Sequence, residues 1–142
     1  MLPVNESYYI RIVNTNRIKM MTPKEFLDSY VENFNTRNLD SLMDMYETEA
    51  HFAIKPGQVI NGLKNIRQSL QDFIDMNGNL ESKVKGVIRT SNLALVNTEW
   101  SFKGTAPDGK PINISGRATD VLRQQSDSTW RVLVDNPWGT DL

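Results

Sequence analysis

Read for spacing alone, the chain falls into two halves with different periods. From Pro23 to Asn77 apolar residues recur every three or four positions, and from Leu80 to Asn136 they alternate. The first spacing puts apolar residues on one face of a helix, the second on one face of a strand. Thr22-Pro23-Lys24-Glu25 opens the first helix: threonine caps, proline suits the first helical position, and Glu25 completes a capping box. Phe26, Leu27, Tyr30, Val31 and Phe34 form its stripe. A second, short helix follows Asn38, with Leu39, Leu42, Met43 and Tyr46. A third starts near Asn61-Gly62, carries Leu63, Ile66, Leu70, Phe73 and Ile74, and stops at Asn77-Gly78. Between the last two, "EAHFAIKPGQVI" is too short for a helix and reads as two brief strands turned by Pro56-Gly57.

After Leu80 come four strand-like segments, "LESKVKGVIRT", "LALVNTEWSFKG", "KPINISGRATDVLRQQ" and "TWRVLVDN". Ser91-Asn92, Ala106-Pro107-Asp108-Gly109 and Ser126-Asp127-Ser128 separate them with turn chemistry. Connections this short make neighbouring strands antiparallel. Helices first and a meander afterwards predict an α+β domain, its three N-terminal helices packed on one face of a strongly curved antiparallel sheet. The capping box gives residues 21–142 a clean beginning as the domain, with residues 1–20 an N-terminal extension. Its "YYIRIV" leaves three readings open: an added edge strand, a partner contact, or a loose tail.

Composition removes several function classes. Across 142 residues the formal net charge is −1 with both signs dispersed, which argues against a nucleic-acid-binding stripe or a polybasic membrane anchor. With no cysteine there are no disulfides, thiolate nucleophiles or cysteine-held metals, and with His51 as the one histidine no multi-histidine metal site within a chain. No apolar run approaches the roughly 20 residues of a membrane-spanning helix. The first 21 residues show neither a basic leader nor a continuous apolar stretch. The expectation is a soluble, cytoplasmic chain.

Alternation also assigns faces once a register is chosen. A four-residue turn, Gln125 to Ser128, pairs Leu122 with Arg131, Asp120 with Leu133 and Ala118 with Asp135. A turn around Pro107-Asp108 places Ile112 near Phe102, Ile114 near Trp100 and Ala118 near Val96. One face then holds Val96, Thr98, Trp100, Phe102, Ala118, Asp120, Leu122, Leu133 and Asp135; the other holds Leu95, Glu99, Arg117, Val121, Trp130, Val132 and Val134. A three-residue turn would break this parity and take Asp135 off the face of Asp120. Carboxyls in an apolar hollow have raised pKa values, and two together raise one of them further. Such a group serves as a base near neutral pH or stays protonated and donates a hydrogen bond. The plainer alternative pairs Asp120 and Asp135 with Arg117, Arg123 or Arg131, or has them cap backbone groups at the sheet rim.

Three stretches, "YVENFNTRNLDSLMDMYETEAHF", "PGQVINGLKNIR" and "GRATDVLRQQSDSTWRVLVDNPWG", carry a resemblance. In this order and spacing the chain resembles the nuclear transport factor 2-like superfamily. That group includes ketosteroid isomerases, SnoaL-type polyketide cyclases, scytalone dehydratase and the association domain of calmodulin-dependent kinase. The resemblance implies a cone-shaped roll enclosing an apolar pocket, often in a homodimer. It places the isomerase tyrosine on Tyr30 of "SYVENFN" and the oxyanion-hole aspartate on Asp120 of "ATDVLR". The isomerase base falls on Ile54 of "HFAIKPG", whose alkyl group accepts no proton. By analogy with the cyclases, Asp120 is an acid/base, Tyr30 polarises a carbonyl, and Trp100, Phe102 and Trp138 shape the pocket, which Ile54 and Asp135 also line. His51 alternates with Phe52 and falls outside. Two functions follow as expectations. One is a cofactor-independent isomerase, aldol cyclase or dehydratase acting on a small apolar carbonyl compound, with Asp120 and Tyr30 catalytic and no metal. The other is a non-catalytic small-ligand-binding or dimerising accessory domain.

Overall fold

A computed structural model describes residues 21–141; the extension expected over residues 1–20 lies outside them. The first helix, α1 (Pro23–Asn35), starts at the capping box. Thr22 Oγ1 accepts from the Glu25 N–H at 3.1 Å, and the Glu25 carboxylate accepts from the Thr22 N–H at 3.0 Å. Helix α2 (Leu39–Asp44) is capped by Asn38, whose Oδ1 accepts from the Ser41 N–H at 3.2 Å. Helix α3 (Leu63–Asp75) begins after Gly62, which holds a φ of +82° that side chains rarely adopt. Tyr46, placed on the second helical stripe by spacing, instead opens a strand, because α2 ends at Asp44.

Six strands form one sheet in the order β2-β1-β6-β5-β4-β3. They are β1 (Tyr46–Lys55), β2 (Gln58–Asn61), β3 (Asn79–Arg89), β4 (Leu93–Thr105), β5 (Pro111–Gln124) and β6 (Trp130–Asp135). The meander β3 to β6 is antiparallel throughout. Strand β1 joins β6 in parallel, so the sheet is mixed; the chain passes through α3 and the whole meander before returning beside β1, and no short connection dictates that pairing. The fold is otherwise the α+β arrangement expected, helices on one face of the sheet.

Both hairpin registers differ from the sequence expectation. Between β4 and β5 a five-residue loop, Ala106 to Lys110, pairs Thr105 with Pro111, Phe102 with Ile114, Thr98 with Ala118 and Val96 with Asp120. This is a slip of two residues, and a slip of two preserves the faces. Between β5 and β6, Gln124 pairs with Trp130 and Leu122 with Val132. That slip of one turns Trp130 and Val132 into the core, each 3% exposed, where Leu133 was expected. A bulge then intervenes, since Val121 pairs with Val134. The extra residue, Leu133, restores the parity. Asp135 therefore shares the inner face with Asp120 although the turn was counted wrongly.

The core lies between helices and inner sheet face, built from Phe26, Phe34, Leu42, Tyr46, Ile66, Leu70, Val96, Phe102, Leu122 and Val132 among others. Asn35 ties α1 to β3: its amide donates to the Leu80 carbonyl at 2.9 Å and accepts from the Leu80 N–H at 2.8 Å.

Candidate functional site

The helices cover the inner face without filling it. A cavity of about 130 Å³ remains, roughly ten times the 10–15 Å³ that one water needs. Its walls are Leu27, Val31 and Phe34 of α1, Leu70 and Phe73 of α3, and Phe52, Leu80, Trp100, Phe102 and Val132 of the sheet. Phe102 takes the rings of Phe34 and Phe73 edge-on, with centroids 6.0 and 5.9 Å away, which fixes the apolar end. Trp100 lies against Gly116, where a Cβ would stand 3.1 Å from the indole. Its Nε1–H donates to the Pro137 carbonyl at 2.7 Å.

Of the residues expected at the site, Tyr30, Trp100, Phe102, Asp120 and Asp135 line the cavity. Trp138 stands behind the wall, edge-on to Trp100 with centroids 5.5 Å apart, its Nε1–H donating to the Ala53 carbonyl at 3.0 Å. Ile54 packs against the core, outside the lining. His51 is exposed, with Nδ1 3.1 Å from the Glu49 carbonyl.

The polar end is a chain of side chains from α1, β1, β5 and β6. The Tyr30 and Tyr46 hydroxyls are 2.7 Å apart, and the Tyr46 hydroxyl donates to Asp135 Oδ2 at 2.6 Å. Asp120 Oδ1 accepts from the Asn136 N–H at 2.8 Å. Among the described residues no arginine touches either carboxyl: Arg117 leans toward Glu99 at 4.0 Å and Arg123 toward Glu47 at 3.6 Å. The plainer alternative thus holds in one respect, the backbone contact at Asn136, and fails for the ion pairs.

Burial, then the charge of Asp135, pushes Asp120 well above the usual carboxylate range, against the Asn136 N–H, which pulls it down. Burial pushes Asp135 up to about 6, with the Tyr46 hydroxyl pulling the other way. Both residues are half-buried and line the cavity. The short bond from Tyr46 favours the charged form of Asp135, so on deprotonation the charge settles there and Asp120 keeps its proton. Tyr30 and Tyr46 are pushed well above the usual phenol range, first by burial and next by the charge of Asp135. Among the described residues, no cluster of three histidine, aspartate or glutamate side chains is arranged to hold a metal ion.

Spacing missed Tyr46, although the signal was present. "YETEAHF" alternates, and Tyr46, Ala50 and Phe52 are all buried; the helical stripe before it claimed the tyrosine first.

A family profile for the SnoaL-like domain matches residues 27–132. The chain belongs to the SnoaL-like family. Among solved structures it is similar to a scytalone dehydratase-like protein from Novosphingobium aromaticivorans, with TM-score 0.71, 12% identity, and 87% of this chain and 85% of that one covered. A ketosteroid isomerase-like protein from Erwinia carotovora atroseptica gives 0.67 at 14% identity over 78% and 87% of the two chains. A nuclear transport factor 2-like protein with a cystatin-like fold, also from Novosphingobium aromaticivorans, gives 0.66 at 11% identity over 99% and 93%. No curated protein matches the SnoaL-like chain significantly. At these identities the likeness establishes the fold. Among the described residues no helix is long and apolar enough to cross a membrane.

Proposed function

We propose that this SnoaL-like protein performs cofactor-independent proton transfer on a small, largely apolar carbonyl compound, as an isomerase, aldol cyclase or dehydratase does. Asp120, protonated, donates a hydrogen bond to the carbonyl oxygen and steadies the enolate that forms. Asp135, ionised, removes the proton beside the carbonyl. The observation that carries this reading is the pair of carboxyls in one apolar cavity with no cation of the described residues beside them. When environments drive two titratable groups apart, one becomes the acid and the other the base. Asp135 also answers for the alkyl group at Ile54: it pairs across β1 and β6 with Phe52, two positions along the strand from Ile54. Tyr30 stands at the cavity wall and orients the ligand.

The test needs no knowledge of the natural substrate. A panel of small apolar ketones in heavy water is followed by proton NMR for loss of the hydrogens beside the carbonyl. Exchange faster than in buffer alone, lost in Asp135→Asn and slowed in Asp120→Asn, supports the reading. No exchange with any ketone, together with planar phenolates binding no tighter to wild type than to Asp120→Asn, sinks it. Ile54 favours a second reading, a non-catalytic carrier or dimerising domain, in which the same compounds bind without exchange.

A homodimer is part of the proposal. Ile88, Leu95, Val121 and Val134 pair in register across four strands on the outer face, an apolar row with Ile88 67% exposed. A second copy placed face to face buries such a row.

A further inference from the structure

The hydrogens available in the cavity assign a second functional group to its ligand. A phenolic hydroxyl carries one hydrogen. That of Tyr46 lies on Asp135 Oδ2 at 2.6 Å. With its hydrogen committed, Tyr46 can only accept across the 2.7 Å contact to Tyr30, so Tyr30 donates there. Tyr30 is left with lone pairs alone to offer the cavity it lines. Asp120 is the complement: its Oδ1 is occupied by the Asn136 N–H, while its Oδ2 has no hydrogen-bond partner among the described residues. We infer that the ligand carries two oxygen functions, a carbonyl that accepts from Asp120 and a hydroxyl that donates to Tyr30, and that Tyr46 is the positioning residue that imposes this by taking the Tyr30 hydrogen.

This deepens the proposed function and rests on it in taking the cavity as a ligand site and Asp120 as its protonated donor. It narrows the substrate class to hydroxy ketones and their phenolic equivalents. Aldol closure produces such compounds and dehydration consumes them; a double-bond shift requires no hydroxyl.

The chain is reversible. Facing Asp135 are Tyr46 from β1, Asp120 from β5 and, through Tyr46, Tyr30 from α1; among the described residues no lysine, arginine or histidine lines the cavity. A proton placed on Asp135 can be donated to Tyr46, whose own hydrogen then turns to Tyr30. Tyr30 in turn points its hydrogen into the cavity and binds an acceptor.

The probes are meta- and para-hydroxyacetophenone and their methoxy counterparts. Affinities are measured by calorimetry with wild type, Tyr46→Phe and Tyr30→Phe near neutral pH, and with wild type again about two pH units lower. Near neutral pH, wild type is expected to bind at least one hydroxy compound about tenfold more tightly than its methoxy partner, the worth of one hydrogen bond to a group otherwise unpaired. In Tyr46→Phe the hydrogen of Tyr30 is released, and the preference falls to about unity or reverses. Acidifying wild type through about pH 6 does the same, a readout that survives if Tyr46→Phe fails to fold. In Tyr30→Phe the preference vanishes at either pH. The steric cost of the methyl group is common to all proteins and conditions, so the change in ratio carries the test. A ratio that stays constant across pH and in Tyr46→Phe overturns the inference, as does the absence of binding by every probe. Ketones that bind wild type better than Asp120→Asn while the ratio stays fixed overturn this inference and leave the proposed function standing. A ratio that moves while no ketone exchanges its hydrogens does the reverse.

Discussion

The two faces of strands β4 to β6 handle charge in opposite ways. On the outer face Glu99 and Arg117 stand across from each other, 49% and 86% exposed, with 4.0 Å between their charged atoms. Such a pair is solvated and screened, and contributes about 0–1 kcal/mol. On the inner face of the same strands, Asp120 and Asp135 meet an apolar hollow with no cation among the described residues in contact. The alternation that places Arg117 outward also places Asp120 inward. The inner pair therefore lowers stability where the outer pair is nearly neutral, and a scaffold gains nothing from it. In the proposed function the inner pair supplies an acid and a base that differ by surroundings rather than by residue type.

The largest expected break in this comparison is catalytic. Asp135→Asn removes the proposed base, and ketone hydrogen exchange is expected to fall by about 10²–10⁴-fold, measured by NMR. Asp120→Asn still offers N–H donors and loses about tenfold, because an amide replaces an acid. Next comes stability against pH. Both carboxyls bind protons more tightly folded than unfolded, so their favourable contribution is complete below the ordinary aspartate pKa of about 3.9 and is lost as pH rises. For Asp135 the loss runs through about pH 6, and for Asp120 it lies well above the ordinary carboxylate range. Urea denaturation of wild type is expected to lose on the order of 2 kcal/mol more between pH 5 and 8 than Asp135→Asn does. An equal loss in both would remove the proposed cost of the inner pair.

On the outer face the effects shrink. Ile88→Glu places a charge in the apolar row and is expected to shift sedimentation from dimer to monomer, with the isolated fold intact. Smallest of all, Glu99→Ala and Arg117→Ala are each expected to change stability by about 0.5 kcal/mol or less. A loss of several kcal/mol at either would show that the outer pair is not the solvated contact described.

How much of this was legible in the sequence depended on how local the cause was. The capping box at Thr22 and Glu25, the stripe of α3 and the turn at Pro56-Gly57 each arise within a few residues, and the structure has them where spacing predicts. Parity survived even where register did not: the β4–β5 slip of two left Thr98, Trp100, Ala118 and Asp120 on the expected face. The β6 assignment was right at Asp135 and wrong at Trp130, Val132 and Leu133, because a bulge is a property of the pairing rather than of either strand alone. The parallel contact of β1 with β6 joins segments separated by α3 and four strands, and no local pattern encodes it. That contact brings Tyr46 to the site. Asp120 was reached from the alternation of its strand and Tyr30 through resemblance, whereas the hydrogen-bond chain joining Tyr30 to Asp135 became visible with the strand order.

Carbon-13 NMR of the aspartate side-chain carboxyls, followed from acid to alkaline pH in wild type and assigned by Asp120→Asn and Asp135→Asn, tests the central claim most directly. One resonance is expected to titrate near pH 6 and to vanish in Asp135→Asn, and a second to titrate well above the ordinary carboxylate range and to vanish in Asp120→Asn. Two carboxyls that both titrate near the ordinary value of about 3.9 would contradict it.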